Sequence, residues 1–345
     1  MSAPIATDAK PGLTAPAGLT VEGLYVQYGS GHTANKVVHD LSLSVKTGQV
    51  LGLVGESGSG KSTVARGLLG LVHPTAGSVA VGGVDVATMT ARHRARQIQM
   101  IFQDPYASLN PRMSVGAIIA EALTTRPEVS RQQRLDEVRR LLELVMLDPE
   151  LDARMPRQLS GGQRQRVAIA RALAAKPKVI IADEITSALD VSVQAQVLNV
   201  LRDVLEHEQV SVLFISHSLA VVRYVSDHIA VMHDGRIVEN GSTNDLITAP
   251  QHPYTRALLA SVPTLDGSTL QDHSWLPIAG PQDAQQIETG CRYRPRCPIG
   301  TVTHPDRTIC VEVDPADDAA SRCNQATCHF AAVAQRASPE KQGIN

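Results

Sequence analysis

One segment, Gly55-Glu56-Ser57-Gly58-Ser59-Gly60-Lys61-Ser62, constrains the fold of this chain more than any other. It follows a short apolar run, Leu51–Val54, and opens a helical pattern near Ser62. A strand, a glycine-rich turn and a helix in that order gather backbone N–H groups around one point, because no side chain blocks the approach. The helix N-terminus adds positive partial charge there. The pattern G-x-x-x-x-G-K-[ST] in this context reads as a phosphate-binding loop. Lys61 would reach β- and γ-phosphates, and the Ser62 hydroxyl would ligate Mg2+.

The surrounding chain fits that demand. Leu51–Val54, Val179–Ala182 and Val212–Ile215 are short apolar runs with the length of buried strands. Helical or loop segments follow each of them, which predicts a mostly parallel sheet flanked by helices. Leu135, Val138, Leu141, Leu142, Val145 and Met146 recur at helical spacing and predict one apolar helix face. Ile229–Met232, Asp234-Gly235 and Arg236–Val238 predict a β-hairpin with a tight turn. After about residue 250 prolines become frequent and periodicity weakens.

Composition excludes several classes. A length of 345 residues suits two or three domains, at about 100–200 residues each. Hydrophobic residues make up 43% and charged residues 19%, which is too apolar for a disordered chain. A net charge of −2 argues against holding nucleic acid by bulk charge. Aromatic residues at 3% argue against stacking platforms for single strands. No apolar run approaches the roughly 18 residues of a membrane span. Met1–Thr20 lacks the basic and apolar regions of a secretory signal, so the expectation is a cytoplasmic protein.

Two further motifs bear on chemistry. Asp183-Glu184 ends an apolar strand, where α/β folds bind ligands. Alternation in a strand would point the two carboxylates to opposite sides. Asp183 is the expected metal-side residue, through a water, and Glu184 the expected general base or water-orienting group. Leu159-Ser160-Gly161-Gly162-Gln163 precedes a helical run, Arg164–Ala175. Ser160 and Gln163 form a capping box for it. Capping does not explain two glycines in the first turn, which fit a second helix N-terminus that approaches phosphate closely.

With these motifs in order, the sequence resembles an ABC-type ATPase from about Leu19 to Pro250 and beyond. Tyr28 resembles the aromatic that stacks on adenine. Gln103 resembles the Q-loop glutamine, which contacts Mg2+ or water and senses the membrane subunits. Leu159–Gln163 is similar to the signature, Ser187-Ala188-Leu189-Asp190 to the D-loop, and His217 to the switch histidine. The resemblance implies an α/β fold, a P-loop NTPase of the ABC-cassette type. Its RecA-like core carries a mostly parallel sheet, beside an antiparallel β subdomain, a helical subdomain at about 104–175 and a small C-terminal extension. The implied division is a flexible tail at 1–18, an ATPase domain at 19–250 and a C-terminal domain at 251–345. ATP contacts would come from Tyr28, Gly55, Ser57, Gly58, Ser59, Gly60, Lys61, Ser62 and Thr63. Ser160, Gly161, Gly162 and Gln163 would add contacts across a head-to-tail dimer. Glu184, His217 and Gln103 would be catalytic, with Ser62, Gln103 and Asp183 around Mg2+. Two positions depart from the family pattern: Ile185 stands where Pro is usual, and Ser218 where Asp is usual.

The resemblance narrows to the F-type ATP-binding subunit of oligopeptide/dipeptide permeases. Ile101–Arg112, Asp190–Leu198 and His252-Pro253-Tyr254-Thr255-Arg256-Ala257-Leu258 carry it. The last segment alone reads as a helix start with Pro253 in its first turn. All five cysteines lie in the C-terminal part, spaced Cys291-x5-Cys297-x12-Cys310-x12-Cys323-x4-Cys328. A reducing compartment favours a metal or cluster over disulfides, with free thiols the other reading. The spacing lacks the close pairs of zinc ribbons. Gly290-Cys291, Arg296-Cys297-Pro298, Cys310 and Cys328-His329 resemble the ligand pattern of relatives that hold a 4Fe-4S cluster, with Cys323 spare. The implied protein hydrolyses ATP with Mg2+ at the cytoplasmic face of the membrane, as a peripheral subunit. It would drive peptide import with a second, related ATPase as heterodimer partner, two transmembrane permease subunits and an extracytoplasmic substrate-binding protein, and without nucleic acid. Nickel or glutathione import is the alternative within the branch. A non-transport ABC ATPase is disfavoured, because no heptads separate the phosphate loop from the signature and only one cassette is present.

Overall fold

The computed structural model describes residues 17–29, 31, 34–262, 277, 287, 289–318 and 326–331. The chain enters on two long antiparallel strands, β1 (Ala17–Tyr28) and β2 (Asn35–Lys46). β1 begins at Ala17, paired with Lys46, so regular structure starts inside the segment expected as a tail. β3 (Val50–Val54) runs into the phosphate loop, and α1 (Lys61–Leu68) leaves it. β4 (Ala76–Val81) and β5 (Val84–Asp85) complete a four-stranded antiparallel sheet in the order β2-β1-β4-β5. α2 (Ala91–Gln97) leads into β6 (Ile98–Ile101).

A helical layer follows: α3 (Pro105–Ser108), α4 (Val115–Leu123), α5 (Gln133–Leu144) and α6 (Gly161–Ala174). Then come β7 (Val179–Asp183), α7 (Val191–Glu208), β8 (Ser211–Ser216), α8 (Leu219–Val225), β9 (His228–His233) and β10 (Arg236–Ser242). The second sheet has six strands in the order β10-β9-β3-β8-β7-β6. Its pairs are parallel except the β9–β10 hairpin, whose turn is the expected Asp234-Gly235.

Strand parity assigns the two faces of this central sheet. Val179 and Ile181 on β7, Leu213 and Ile215 on β8, and Leu51 and Leu53 on β3 pack with Val64 and Leu68 of α1 and with the antiparallel sheet. Ile180 and Ala182, Val212 and Phe214, and Val50 and Val54 pack on the opposite face with α4 to α8. Every residue of β3, β7 and β8 is buried, which explains why their sequences are apolar without alternation.

The helical insert corrects one expectation. Val138, Leu141, Leu142 and Val145 are buried, but Leu135 is 52% exposed and Met146 60%. α5 ends at Leu144, and Met146 has φ +56, so its side chain has left the helical face. Leu135 sits in the first turn, where the charged residues around it keep that end at the surface.

After the hairpin come α9 (Thr243–Thr248), α10 (Pro253–Ala260) and α11 (Ile309–Glu312). His252 caps α10 by accepting from the Tyr254 N–H at 3.0 Å. The extension returns to the central sheet: Ala326 bridges Glu239 of β10, and the Thr327 N–H donates to the Val238 carbonyl at 2.8 Å. Tyr254, Tyr293 and Cys297 enter the same apolar cluster as the central sheet. Among the described residues, no helix is long and apolar enough to cross a membrane.

Candidate functional site

The phosphate loop lies at the C-terminal end of β3. A Cβ on Gly55 would lie 2.1 Å from the Met232 carbonyl oxygen of β9, so no side chain fits there. Gly60 caps α1 with φ +103, a backbone region that only glycine enters readily. Ser57, Gly58 and Ser62 are exposed, while Ser59, Lys61 and Thr63 are 6%, 5% and 9% exposed. Lys61 Nζ donates to the carbonyls of Gly55 and Glu56, both at 2.8 Å, and lies 3.4 Å from Ser59 Oγ. Its ammonium thus sits on the loop's own carbonyls. Burial pushes the Lys61 pKa down, and Glu184, Asp183 and Glu56 oppose that shift.

The other residues converge from separate elements. Ser62 Oγ donates to Asp183 Oδ1 at 3.5 Å. Gln103 donates its amide to Glu184 Oε2 at 3.1 Å and to Ser187 Oγ at 3.3 Å. His217 Nδ1 lies 3.3 Å from Glu184 Oε1. Glu184 is therefore held between Gln103, two residues past the end of β6, and His217, directly after β8. Tyr28, 36% exposed at the end of β1, donates its hydroxyl to Thr63 Oγ1 at 3.4 Å.

Asp183 keeps the parity of Val179 and Ile181, which explains why it faces α1 and Ser62. Glu184 does not follow from alternation. β7 ends at Asp183, and Glu184 adopts φ +47, so a turn rather than the strand pleat sets its direction. Its backbone N–H donates to the Ile215 carbonyl at 2.9 Å, which fixes that turn against β8.

Oxygen donors dominate this cluster, as a hard divalent cation requires. Asp183 is buried, and desolvation with the Glu184 charge beside it raises its carboxyl pKa despite the Ser62 hydrogen bond. The donor chemistry fits a hard cation such as Mg2+: a Ser62 hydroxyl on the Asp183 carboxylate, with the Gln103 amide on the adjacent Glu184.

The signature segment stands apart. Ser160 and Gln163 make the expected reciprocal capping box: the Ser160 N–H donates to Gln163 Oε1 at 2.9 Å, and the Gln163 N–H to Ser160 Oγ at 3.3 Å. Ser160 is exposed and Gly161 half-buried, whereas Gly162 is buried. A Cβ on Gly162 would lie 2.5 Å from Val193 Cγ1 of α7. That glycine serves close packing on the helix after the D-loop, a role the sequence alone does not reveal. Asp190 caps α7 through the Val193 N–H at 3.0 Å. None of the hydrogen bonds found joins Ser160, Gly161, Gly162 or Gln163 to the phosphate loop of the same chain, among the described residues. Both departures from the family pattern sit quietly: Ile185 is 1% exposed, and the Ser218 N–H donates to Ser216 Oγ at 3.0 Å.

The cysteines form a second locus. Cys291, Cys297, Cys310 and Cys328 line one cavity with His329 and Phe330. All four are free thiols, and Cys323 lies outside the described residues. Burial pushes Cys291, Cys297 and Cys328 up to about 12, and raises Cys310 as well. Gly290 turns with φ +74 so that the Cys291 N–H reaches the Cys310 carbonyl at 2.8 Å. Among the described residues, no group of three or more His, Cys, Asp or Glu side chains is placed to hold a single metal ion.

Sequence reasoning missed the extension's contact with the phosphate loop. Arg296 Nη1 and Nη2 donate to the Glu56 carboxylate at 2.8 and 3.1 Å, and the Glu56 N–H donates to Tyr254 Oη at 2.8 Å. The Arg296 hydrogen bonds hold the Glu56 carboxyl below its usual range.

Comparison with known proteins bears on this arrangement. Residues 38–187 match the family described as ABC transporter, and residues 238–302 match the oligopeptide/dipeptide transporter C-terminal region. A protein of Brucella ovis is 46% identical over 284 residues, covering 81% of this chain and 89% of that protein. The di/tripeptide transport ATP-binding protein DppF of Pseudomonas aeruginosa is 43% identical over 274 residues, covering 79% and 84%. The oligopeptide transport ATP-binding protein AppF of Bacillus subtilis is 41% identical over 301 residues, covering 86% and 89%. A solved dimer of an ATP-binding cassette in a post-hydrolysis state, bound to ADP and Pi, superposes with a TM-score of 0.58 at 27% identity. That match covers 65% of this chain and 98% of the cassette.

Proposed function

From the premise that the chain belongs to the ABC transporter ATPase family, we propose that it is the ATP-hydrolysing subunit of a peptide importer. The observation that carries this reading is the convergence of Gln103, Asp183, Glu184 and His217 beside Lys61 and Ser62. In this reading Lys61 exchanges the carbonyls of Gly55 and Glu56 for the β- and γ-phosphates of ATP. Ser62, Asp183 and Gln103 would hold Mg2+, which would supply charge neutralisation on the phosphate oxygens. Glu184 takes a proton from the attacking water or orients it, and Gln103 and His217 hold that carboxylate in place. His217 also reaches the γ-phosphate. Tyr28 stacks on the adenine, and Ser57, Gly58, Ser59, Gly60 and Thr63 complete the phosphate cradle with Gly55.

Ser160, Gly161, Gly162 and Gln163 complete a partner cassette's site rather than their own. A site finished only in the closed dimer makes ATP the link between cassettes, and hydrolysis removes it. The partner is a related, non-identical ATPase. Phe102 and Tyr106, 43% and 64% exposed beside Gln103, offer an apolar seat for two permease subunits. The exposed Tyr106 ring is braced by Arg164, whose guanidinium stacks on it at 3.5 Å. Residues 19–250 act as the ATPase domain, with its helical subdomain at about 104–175, and residues 251–345 as the permease-type C-terminal domain. The protein works at the cytoplasmic face of the membrane, with an extracytoplasmic binding protein delivering peptide. Affinity purification from detergent-solubilised membranes is expected to recover two permease subunits and a second ATPase. Recovery of the chain without any membrane subunit would contradict the transport reading.

The same reading includes a 4Fe-4S cluster on Cys291, Cys297, Cys310 and Cys328. Four thiols around one cavity support it. A cluster spaces its ligands through its own iron and sulfide, so the thiolates need not converge on a single ion. Anaerobic purification is expected to give a brown protein with about four irons per chain, and Cys297→Ser to lose both. A colourless protein carrying zinc, or no metal, would overturn this part.

A further inference from the structure

The phosphate loop is gripped from the C-terminal extension, across 240 residues of sequence. Glu56 is fixed at both ends. Its N–H donates to Tyr254 Oη at 2.8 Å, and its carboxylate accepts the fork of Arg296 at 2.8 and 3.1 Å. Its carbonyl is one of the two that hold Lys61. Glu56 therefore touches both the extension and the phosphate-reaching lysine.

The grip is built on rigid parts. Tyr254 is 1% exposed and packs edge-on against His233 at 4.6 Å and Tyr293 at 5.4 Å between ring centroids. Arg296 ends the short turn Arg294–Arg296 and precedes Cys297, which is 7% exposed. The other end of the loop is held too: the Gly235 N–H donates to the Ser59 carbonyl at 3.0 Å. Arg292 of the extension pins that hairpin turn by donating to the Asp234 carboxylate at 2.9 Å.

A carboxylate inside a phosphate loop is a liability. Unpaired, it repels the polyphosphate that the loop must receive. Paired with a guanidinium in a bidentate fork, it becomes a neutral strut. We propose that Arg296 and Tyr254 are positioning residues of the nucleotide site: they hold and neutralise Glu56, so that ATP affinity depends on the C-terminal extension. This inference rests on the reading of Gly55–Ser62 as the ATP phosphate site. It adds a requirement from outside the cassette.

The test is ATP kinetics of the full chain in its assembled transporter. Arg296→Ala is expected to raise KM for ATP about tenfold, with kcat at saturating ATP changed by less than about twofold. Arg296→Lys, which keeps charge but loses the fork, is expected to fall between the two. Adding Glu56→Gln to Arg296→Ala removes the exposed charge and is expected to restore most of the affinity. Purely structural damage would not be repaired by a second substitution in the loop. Tyr254→Phe is expected to raise KM as well, because the Glu56 N–H loses its acceptor. The inference is overturned by an unchanged KM in Arg296→Ala, or by a raised KM that Glu56→Gln fails to lower. Lys61→Ala in the same assay separates the two readings. If it binds ATP normally, the phosphate-site reading fails and takes the inference with it. If it abolishes binding while Arg296→Ala is silent, only the inference fails.

Discussion

Glu184→Gln is expected to lower ATP turnover by about 10²–10⁴-fold while leaving ATP binding nearly unchanged. The amide keeps the size of the side chain and its place between Gln103 and His217. It cannot accept a proton from water. Because binding survives and hydrolysis does not, the variant with ATP is expected to accumulate as a closed dimer of cassettes. Size-exclusion chromatography of the variant with its partner ATPase, ATP and Mg2+ measures the dimer, and phosphate release measures the turnover. Undiminished turnover would remove Glu184 from the role of base and leave Gln103 and His217 without the group they hold.

Lys61→Ala is expected to fail earlier, at binding. Lys61 is 5% exposed, and among the described residues its ammonium donates to the Gly55 and Glu56 carbonyls and toward Ser59 Oγ. Those partners are replaceable by phosphate oxygens, which carry charge and form stronger hydrogen bonds. Losing charged hydrogen bonds of about 1.5–3 kcal/mol each lowers ATP affinity by at least about 10–100-fold. Equilibrium binding of a fluorescent ATP analogue reads this directly. The contrast between the variants is informative: Glu184→Gln separates chemistry from binding, whereas Lys61→Ala removes the binding on which chemistry depends.

The parts of the site legible in the sequence are those fixed by local chain geometry. The phosphate loop needs its strand, its glycines and its helix within a few residues, and these are contiguous. Asp183 was legible because β7 parity carries its side chain toward α1 along with Val179 and Ile181. The capping box of Ser160 and Gln163 is likewise a local device. What escaped sequence reasoning was non-local or conformational. Glu184 leaves the strand at φ +47, so strand alternation does not set its direction. Gly162 is required by Val193 on another helix, and no pattern within the signature announces that neighbour. Met146 fits the helical period but follows the end of α5, because a period does not mark where a helix stops. The Glu56–Arg296 fork joins residues that only the folded extension brings together. His252–Leu258 marks the branch in sequence, yet Tyr254's service to the phosphate loop depends on burial among aromatic rings.

The central claim is that ATP hydrolysis at Glu184 drives peptide import. Its most direct test is simultaneous measurement of phosphate release and labelled-peptide uptake in proteoliposomes holding the assembled transporter, with ATP on the cassette side and the binding protein on the other. The account predicts that peptide accelerates phosphate release, and that Glu184→Gln abolishes release and uptake together. Sustained peptide accumulation by the Glu184→Gln transporter, with phosphate release at background, would contradict it.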